Sequence, residues 1–393
     1  MGEGASREGF ADIAIRQMQL VHKWQEFHGI SEPSAQSVFF GGGTPTVLKA
    51  QDLVRILQEI RNLWGLEEGA EITTEANPDT ADDKYIAELA EGGFTRISFG
   101  MQSAVPHVLK TLDRTHTPEN VIRGVNAARD FGLRSSVDLI YGAPGESLDD
   151  WRKSVEMALS LEVNHISAYA LTVEPRTKMG RQIASGEIQA PDDDDEAQKY
   201  EIADDLFSAA GLQWYEISNW ACEGFESQHN LGYWKNIDWA GIGPGAHSHY
   251  NSANHLTKQS MDEDAKDANP QKFYNLRAWD ILHPKRWAHA INSGNVPWQN
   301  YECINGEDAL IEEVMLGLRL KEGLDISQLC NKMRNNNSKF NDNYLNKALQ
   351  EVTEESLATM YENMVVATRK GRLLNDLLIE KIVDACENGL TVR

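Results

Sequence analysis

Apolar positions in the first half of the chain follow two alternating rhythms. Phe10, Ile13, Ala14, Met18, Val21 and Trp24 recur at three-to-four spacing and predict a helix closed by His28-Gly29. Ser37-Val38-Phe39-Phe40 predicts a short buried strand that runs straight into Gly41-Gly42-Gly43-Thr44-Pro45-Thr46. The pattern then repeats. Leu53, Ile56, Leu57, Ile60 and Leu63 line a helix, and the strand Glu71–Thr74 leads to Glu75-Ala76-Asn77-Pro78. Tyr85, Ile86 and Leu89 mark a helix before the strand Arg96–Phe99, which leads to Gly100-Met101-Gln102-Ser103. Thr117 caps a helix with Pro118 in its first turn and Gly132 at its end. The strand Ser136–Ile140 enters Tyr141-Gly142-Ala143-Pro144-Gly145, and Trp151, Val155 and Leu159 give the next helical face. His165–Tyr169 is a strand before Leu171–Pro175, and one more strand lies between Gln213 and Ile217.

A strand–loop–helix unit that repeats roughly every 30 to 40 residues predicts parallel α/β structure, curled into a whole or partial barrel. In that architecture the loops after the strands carry the site. Thr44, Glu75, Gln102, Asp138 and Thr172 all stand at or just past the end of a strand. Singly, each reads as a brace for its loop; together they would face one cavity fit for a small polar ligand. Three successive glycines at 41–43 leave backbone N–H groups bare for a ligand, or simply make a tight turn.

The second half reads differently. Asp192 to Asp195 opens a helix holding Ala197, Tyr200, Ile202, Leu206 and Phe207, where the macrodipole favours acids; a metal site is the weaker reading. Residues 251–272 are polar and predict a surface insertion, and residues 1–8 predict a frayed lead. From about Glu307, helices are expected around Ile311–Leu320, Ile326–Met333 and Leu345–Met360, with Asn335-Asn336-Asn337 in a loop. A strand Val365–Thr368 and a basic turn Arg369–Arg372 complete a mostly helical, winged-helix-like end, with packing or a lid as its expected role rather than DNA binding. The expected division is 1–215, a barrel segment; 216–300, an extension; and 301–393, the helical end.

Charge narrows the function. At −23 over 393 residues the chain would be repelled by phosphate backbones and anionic membrane surfaces. No apolar run is long enough to span a bilayer, and the polar first residues show no signal-peptide pattern, so the expected location is the cytoplasm. Cys222, Cys303, Cys330 and Cys386 are too widely spaced to nucleate a zinc or iron–sulfur site.

Two adjoining stretches carry the densest chemistry: Gln228-His229-Asn230-Leu231-Gly232-Tyr233-Trp234, and Gly241-Ile242-Gly243-Pro244-Gly245-Ala246-His247-Ser248. A histidine beside large aromatics suits a flat, metal-bearing aromatic ligand, since imidazole ligates iron and rings pack on a macrocycle. The plainer reading is a rigid loop whose polar groups satisfy backbone carbonyls.

FFGGGTPTVL, TTEANPDT, GFTRISFGMQS, VDLIYGAPGES, ISAYALTVEP, YEISNWA, HNLGYW and GIGPGAHS, in this order, resemble the radical S-adenosylmethionine family that contains the oxygen-independent coproporphyrinogen III oxidases. HNLGYW is similar to the motif of its heme chaperone branch, and the similarity runs from about residue 6 to the C-terminus. The resemblance implies a partial barrel of radical SAM type. It implies S-adenosylmethionine contacts at Gly42, Gly43, Thr44, Glu75, Gln102, Arg114 and Asp138, with Thr172 beside them. It also implies heme at His229, a possible iron ligand, with Tyr233 and Trp234 as packing partners and Asn230 as a brace.

One family feature is missing. The family holds a 4Fe–4S cluster on a C-x-x-x-C-x-x-C motif after its first barrel strand, and no cysteine here precedes Cys222. The expectation is a start placed too late, downstream of that strand and loop, with a genuinely shortened form as the alternative; either way no radical chemistry is expected from these residues alone. The resemblance implies a heme chaperone serving an acceptor protein. A coproporphyrinogen III oxidase and a degenerate protein-binding scaffold stand as rivals.

Overall fold

Period-two alternation shapes the first unit. In the computed structural model, which describes residues 8–31, 33–256, 275–336 and 340–391, the chain divides into two compact units. One holds Gln36–Val54 and Gly69–His229; the other holds the residues through Ala35, Arg55–Glu68 and those from Asn230 onward.

The barrel unit is built on a seven-stranded sheet. Its strands are β1 (Ala35–Phe40), β2 (Leu66–Ala76), β3 (Arg96–Gln102), β4 (Arg134–Tyr141), β5 (His165–Ala170), β6 (Gln213–Glu216) and β7 (Asn219–Ala221). The order is β1-β2-β3-β4-β5-β7-β6, with β2 to β5 parallel and β7 antiparallel to both its neighbours. One face is apolar: Ile97, Phe99, Val137, Leu139 and Ile166 are fully buried, and burying each such side chain is worth about 1.5–3 kcal/mol. The other face is polar, carrying Thr73, Glu75, Arg96, Ser98, Ser136, Asp138 and Ser167 at alternate positions. This is the curled, parallel-rich half-barrel that the strand–helix repeat predicts, and β7 is the strand that the repeat did not reveal.

Local signals held where capping chemistry is explicit. Thr117 and Asn120 form a capping box on the helix Pro118–Asp130, and Gly132 follows at φ 74°. Asp192 caps the helix Asp193–Ala209 through the N–H of Asp195, so the acidic run is a helix start as expected.

In the other unit, the helix Phe10–His28 ends at Gly29 in the left-handed conformation, again as expected. A three-stranded antiparallel sheet follows, of β8 (His247–Tyr250), β9 (Asn275–Asp280) and β10 (Trp298–Ile304). Gln17 ties helix and sheet together in the interior. Its side-chain amide donates to Asp280, and its carbonyl accepts from Trp287 Nε1 and from the N–H of Gly243, both at 2.9 Å.

The C-terminal end is winged-helix-like. Helices Gly306–Gly317, Ile326–Asn336 and Asn343–Glu354 surround β11 (Leu324–Asp325), and a hairpin of β12 (Ala358–Tyr361) and β13 (Met364–Ala367) gives the sheet order β11-β13-β12. Two details differ from expectation. The third helix stops at Glu354, because Ser356 turns the chain at φ 59° and 358–361 pair as a strand. The basic segment 369–372 is no turn: Thr368 caps a short helix, Arg369–Leu373, and the hairpin tip is Glu362-Asn363. In that helix Gly371 lies against the Leu357 backbone carbonyl, where a methyl group has no room. Gly371→Ala is therefore expected to destabilise the protein by about 3 kcal/mol, read as a lowered midpoint in denaturant unfolding; an unchanged midpoint would refute the contact.

Three expectations touch residues outside the described set. The frayed lead falls almost wholly there. So does most of 251–272, of which the described part, 251–256, buries Ala253 and Leu256. Asn335 and Asn336 belong to the helix Ile326–Asn336 rather than a loop, and Asn337 is not described.

Candidate functional site

The polar ends of β2 to β5 and the loops after them enclose a cavity of about 470 Å³ in the barrel unit, within the usual range for a small-molecule site. Gly43, Thr44, Glu75, Gln102, Arg114, Asp138 and Thr172 all line it. Gly42, at φ 81°, is not in the lining, but its N–H donates to the Glu75 carboxylate. The sequence-derived set is thus brought together by one architecture, with Asn77, Ser98, His116, Ile140, Tyr169 and Leu171 added to it. Sequence reading missed these. Ser98, Ile140 and Tyr169 were findable, since each shares the inward parity of its strand.

Two carboxylates dominate the electrostatics. Burial and the neighbouring Asp138 push Glu75 up to about 7, against the opposing hydrogen bond from Gly42. Burial also raises Asp138, although Ser167 and Ser98 hydrogen-bond it, the latter at 2.9 Å. Ser136 in turn donates to Ser98 at 2.9 Å, which fixes that hydroxyl.

Gln102 is the strained member. The β3–β4 register shifts between Gly100 and Gln102, and Gln102 sits at φ 61°. A left-handed non-glycine residue at a bulge is a conformation kept for re-aiming a side chain. Its amide folds back over Gly100, where an added Cβ would lie 2.7 Å from Nε2, and its Oε1 is buried with no hydrogen-bond partner. That orphaned acceptor and the paired acids suit a cationic ligand rich in N–H and O–H groups. His116 braces the wall by donating from Nε2 to the Met101 carbonyl at 2.9 Å.

HNLGYW is helical rather than a loop, within Gln228–Trp234. Its start is anchored in the barrel unit. The buried Glu71 accepts from Ser227 Oγ at 3.2 Å and from the His229 N–H at 3.3 Å, and it pairs with the buried Arg96 at 3.1 Å. The His229 ring stacks on Phe39 at 4.8 Å, and its Nδ1 meets Ser37 Oγ at 3.0 Å. Burial lowers its pKa to about 4, so the ring is neutral, the form a metal requires. His229 does not line the cavity. In the other unit Asn230 is half-buried, Tyr233 stands edge-on to Trp239 at 4.9 Å, and the Arg319 guanidinium lies 5.5 Å over Trp234.

The cysteines do not fit a cluster. Cys222 follows β7, Cys303 lies in β10, and Cys330 and Cys386 lie in two helices of the C-terminal end. Among the described residues no group of three or more His, Cys, Asp or Glu could hold a metal ion, and no helix is long and apolar enough to cross a membrane.

Residues 14–158 match the radical SAM superfamily. Heme chaperone HemW of Mycobacterium tuberculosis is 35% identical over 90% of this chain and 82% of the relative. The chain belongs to the HemW family. The HemW of Bacillus subtilis is 31% identical, over 88% of this chain and 84% of the relative. The fold is also that of coproporphyrinogen III oxidase, HemN, from Escherichia coli, with a TM-score of 0.75 at 19% identity over 98% of this chain and 84% of that one.

Proposed function

We propose that this chain is a heme chaperone, binding heme and passing it to an acceptor protein in the cytoplasm. The observation that carries this reading is the match to HemW relatives over nine-tenths of the chain, the HNLGYW helix included. Heme contacts are assigned to the neighbourhood of that helix: Tyr233 and Trp234 pack on the macrocycle, Asn230 braces, and His229 is the motif's own imidazole. The barrel segment 1–215, the extension 216–300 and the end 301–393 are proposed as its functional parts.

The cavity fits S-adenosylmethionine. Glu75 and Asp138 would face its positive groups, Gly42, Gly43 and Thr44 its amino-acid end, and Arg114 a carboxylate by a charge-assisted fork. Gln102 Oε1 would accept a donor, and Thr172 would close the rim. The same cofactor bound to a cluster supplies radical chemistry in this superfamily; the residues present here bind and orient.

The test is hemin titration of the purified chain by visible absorption. A saturable Soret change supports the reading, and its absence refutes it. Cofactor binding has its own signature. A ligand with a net positive charge prefers ionised Glu75, whose proton leaves near pH 7. S-adenosylmethionine should therefore bind up to ~10-fold tighter at pH 8 than at pH 6, and Glu75→Gln should remove most of that difference in calorimetry. An identical pH dependence in the variant would exclude Glu75.

A further inference from the structure

His229 has structural work already: Ser37 holds its Nδ1 and Phe39 covers a ring face. A second imidazole is differently placed. His247, in GIGPGAHS, is exposed at the start of β8, and among the described residues no hydrogen bond or ion pair engages its ring. Its register partner across the sheet is Trp279, with the rings stacked at 6.0 Å and 25° apart.

Around His247 the surface is aromatic and apolar. Trp239 donates from Nε1 to the His247 carbonyl at 3.0 Å, stacks on the buried His249 at 4.7 Å, and meets Tyr233 of the motif helix edge-on. Tyr233 is 41% exposed. On the other side Leu282 is 73% exposed and lies over Gly245, where an added Cβ would come within 2.8 Å of it. Exposed Leu282 and Tyr233, with His247 and the half-buried Trp239 and Trp279 in the same sheet region, form an apolar and aromatic surface of the kind that takes a ligand.

Charge says what covers it. Immediately after Leu282 come His283, Lys285 and Arg286, all exposed at the start of the helix Pro284–Asn292. Among the described residues neither Lys285 nor Arg286 has an acidic partner, although the chain carries a net charge of −23. Arg277, by contrast, is taken by Glu312. Imidazole, ring faces, an exposed aliphatic side chain and two unpaired cations in sequence match a flat iron macrocycle with a carboxylate edge.

We infer that the imidazole that meets the heme iron is His247, with Trp279, Trp239 and Tyr233 as the wall, Leu282 at the rim, and Lys285 and Arg286 receiving the propionates. His229 is then a positioning residue that pins the motif helix. This rests on the heme reading above and assigns the site within it.

The experiment is titration of the full chain with hemin and with hemin dimethyl ester, followed by the Soret band. His247→Ala is expected to weaken hemin binding at least tenfold and to shift the band, with added imidazole restoring it. His229→Ala should keep the position of the wild-type band even if affinity falls. A Lys285→Glu/Arg286→Glu double variant should weaken hemin but leave the ester unchanged. A His247→Ala chain with wild-type band and affinity overturns the assignment and leaves the heme reading standing. A wild-type chain that takes up no hemin overturns both.

Discussion

Replacing Arg96 by methionine is expected to cost about 3–5 kcal/mol of stability, because it leaves the Glu71 carboxylate buried without its cation. Both side chains are about 5% exposed or less, so water cannot take the place of the guanidinium. Arg96 also donates to the Phe225 carbonyl at 3.4 Å, and Glu71 holds Ser227 and His229 at the start of the motif helix. The loss should therefore be local as well as global: amide exchange at 227–230 should accelerate beyond what the fall in overall stability explains. Denaturant unfolding measures the total. The double variant Arg96→Met/Glu71→Gln should recover part of the loss, since two neutral groups replace one stranded charge. A single variant as stable as wild type would mean that the pair is dispensable.

The second large effect is a pH slope. Burial holds Asp280 as the acid up to about pH 8, even though Gln17 and the Gly243 N–H favour its ionised form. In the unfolded chain an aspartate ionises near pH 3.9. The folded state thus binds this proton more tightly. The contribution is complete below about pH 4 and is lost as pH rises from there to about 8, at up to ~1.4 kcal/mol per unit. Unfolding midpoints at pH 5, 6, 7 and 8 should decline more steeply for the wild type than for Asp280→Asn, with several kcal/mol separating the two trends across the range. Parallel trends would show that Asp280 is ionised throughout.

The legible parts of this fold were those with a local cause. Helix ends at Gly29, Thr117 and Asp192 announce themselves through capping chemistry, and they stand where expected. The cavity set was legible because strand ends in a parallel sheet converge, so that residues as distant as Thr44 and Thr172 meet. What escaped had non-local causes. β7 is three residues long and exists by pairing with His165–Ser167 on one side and with β6 on the other. The HNLGYW helix has a local start signal in Ser227, but what anchors that start is Glu71, more than 150 positions earlier, which accepts from Ser227 Oγ and from the His229 N–H. The left-handed turn of Gln102 depends on a register shift that appears only when β3 lies beside β4.

Strand β2 bears two separate duties. Glu71 fastens the motif helix, and Glu75, four residues later and about 13 Å along the strand, forms part of the cavity wall. Both point to the same face, separated by Thr73. A one-residue insertion or deletion between them would turn one acid or the other toward the apolar helices. The spacing Glu-x-x-x-Glu is thus a ruler: descendants of this chain can exchange the helices around the sheet far more freely than they can change the length of these five residues.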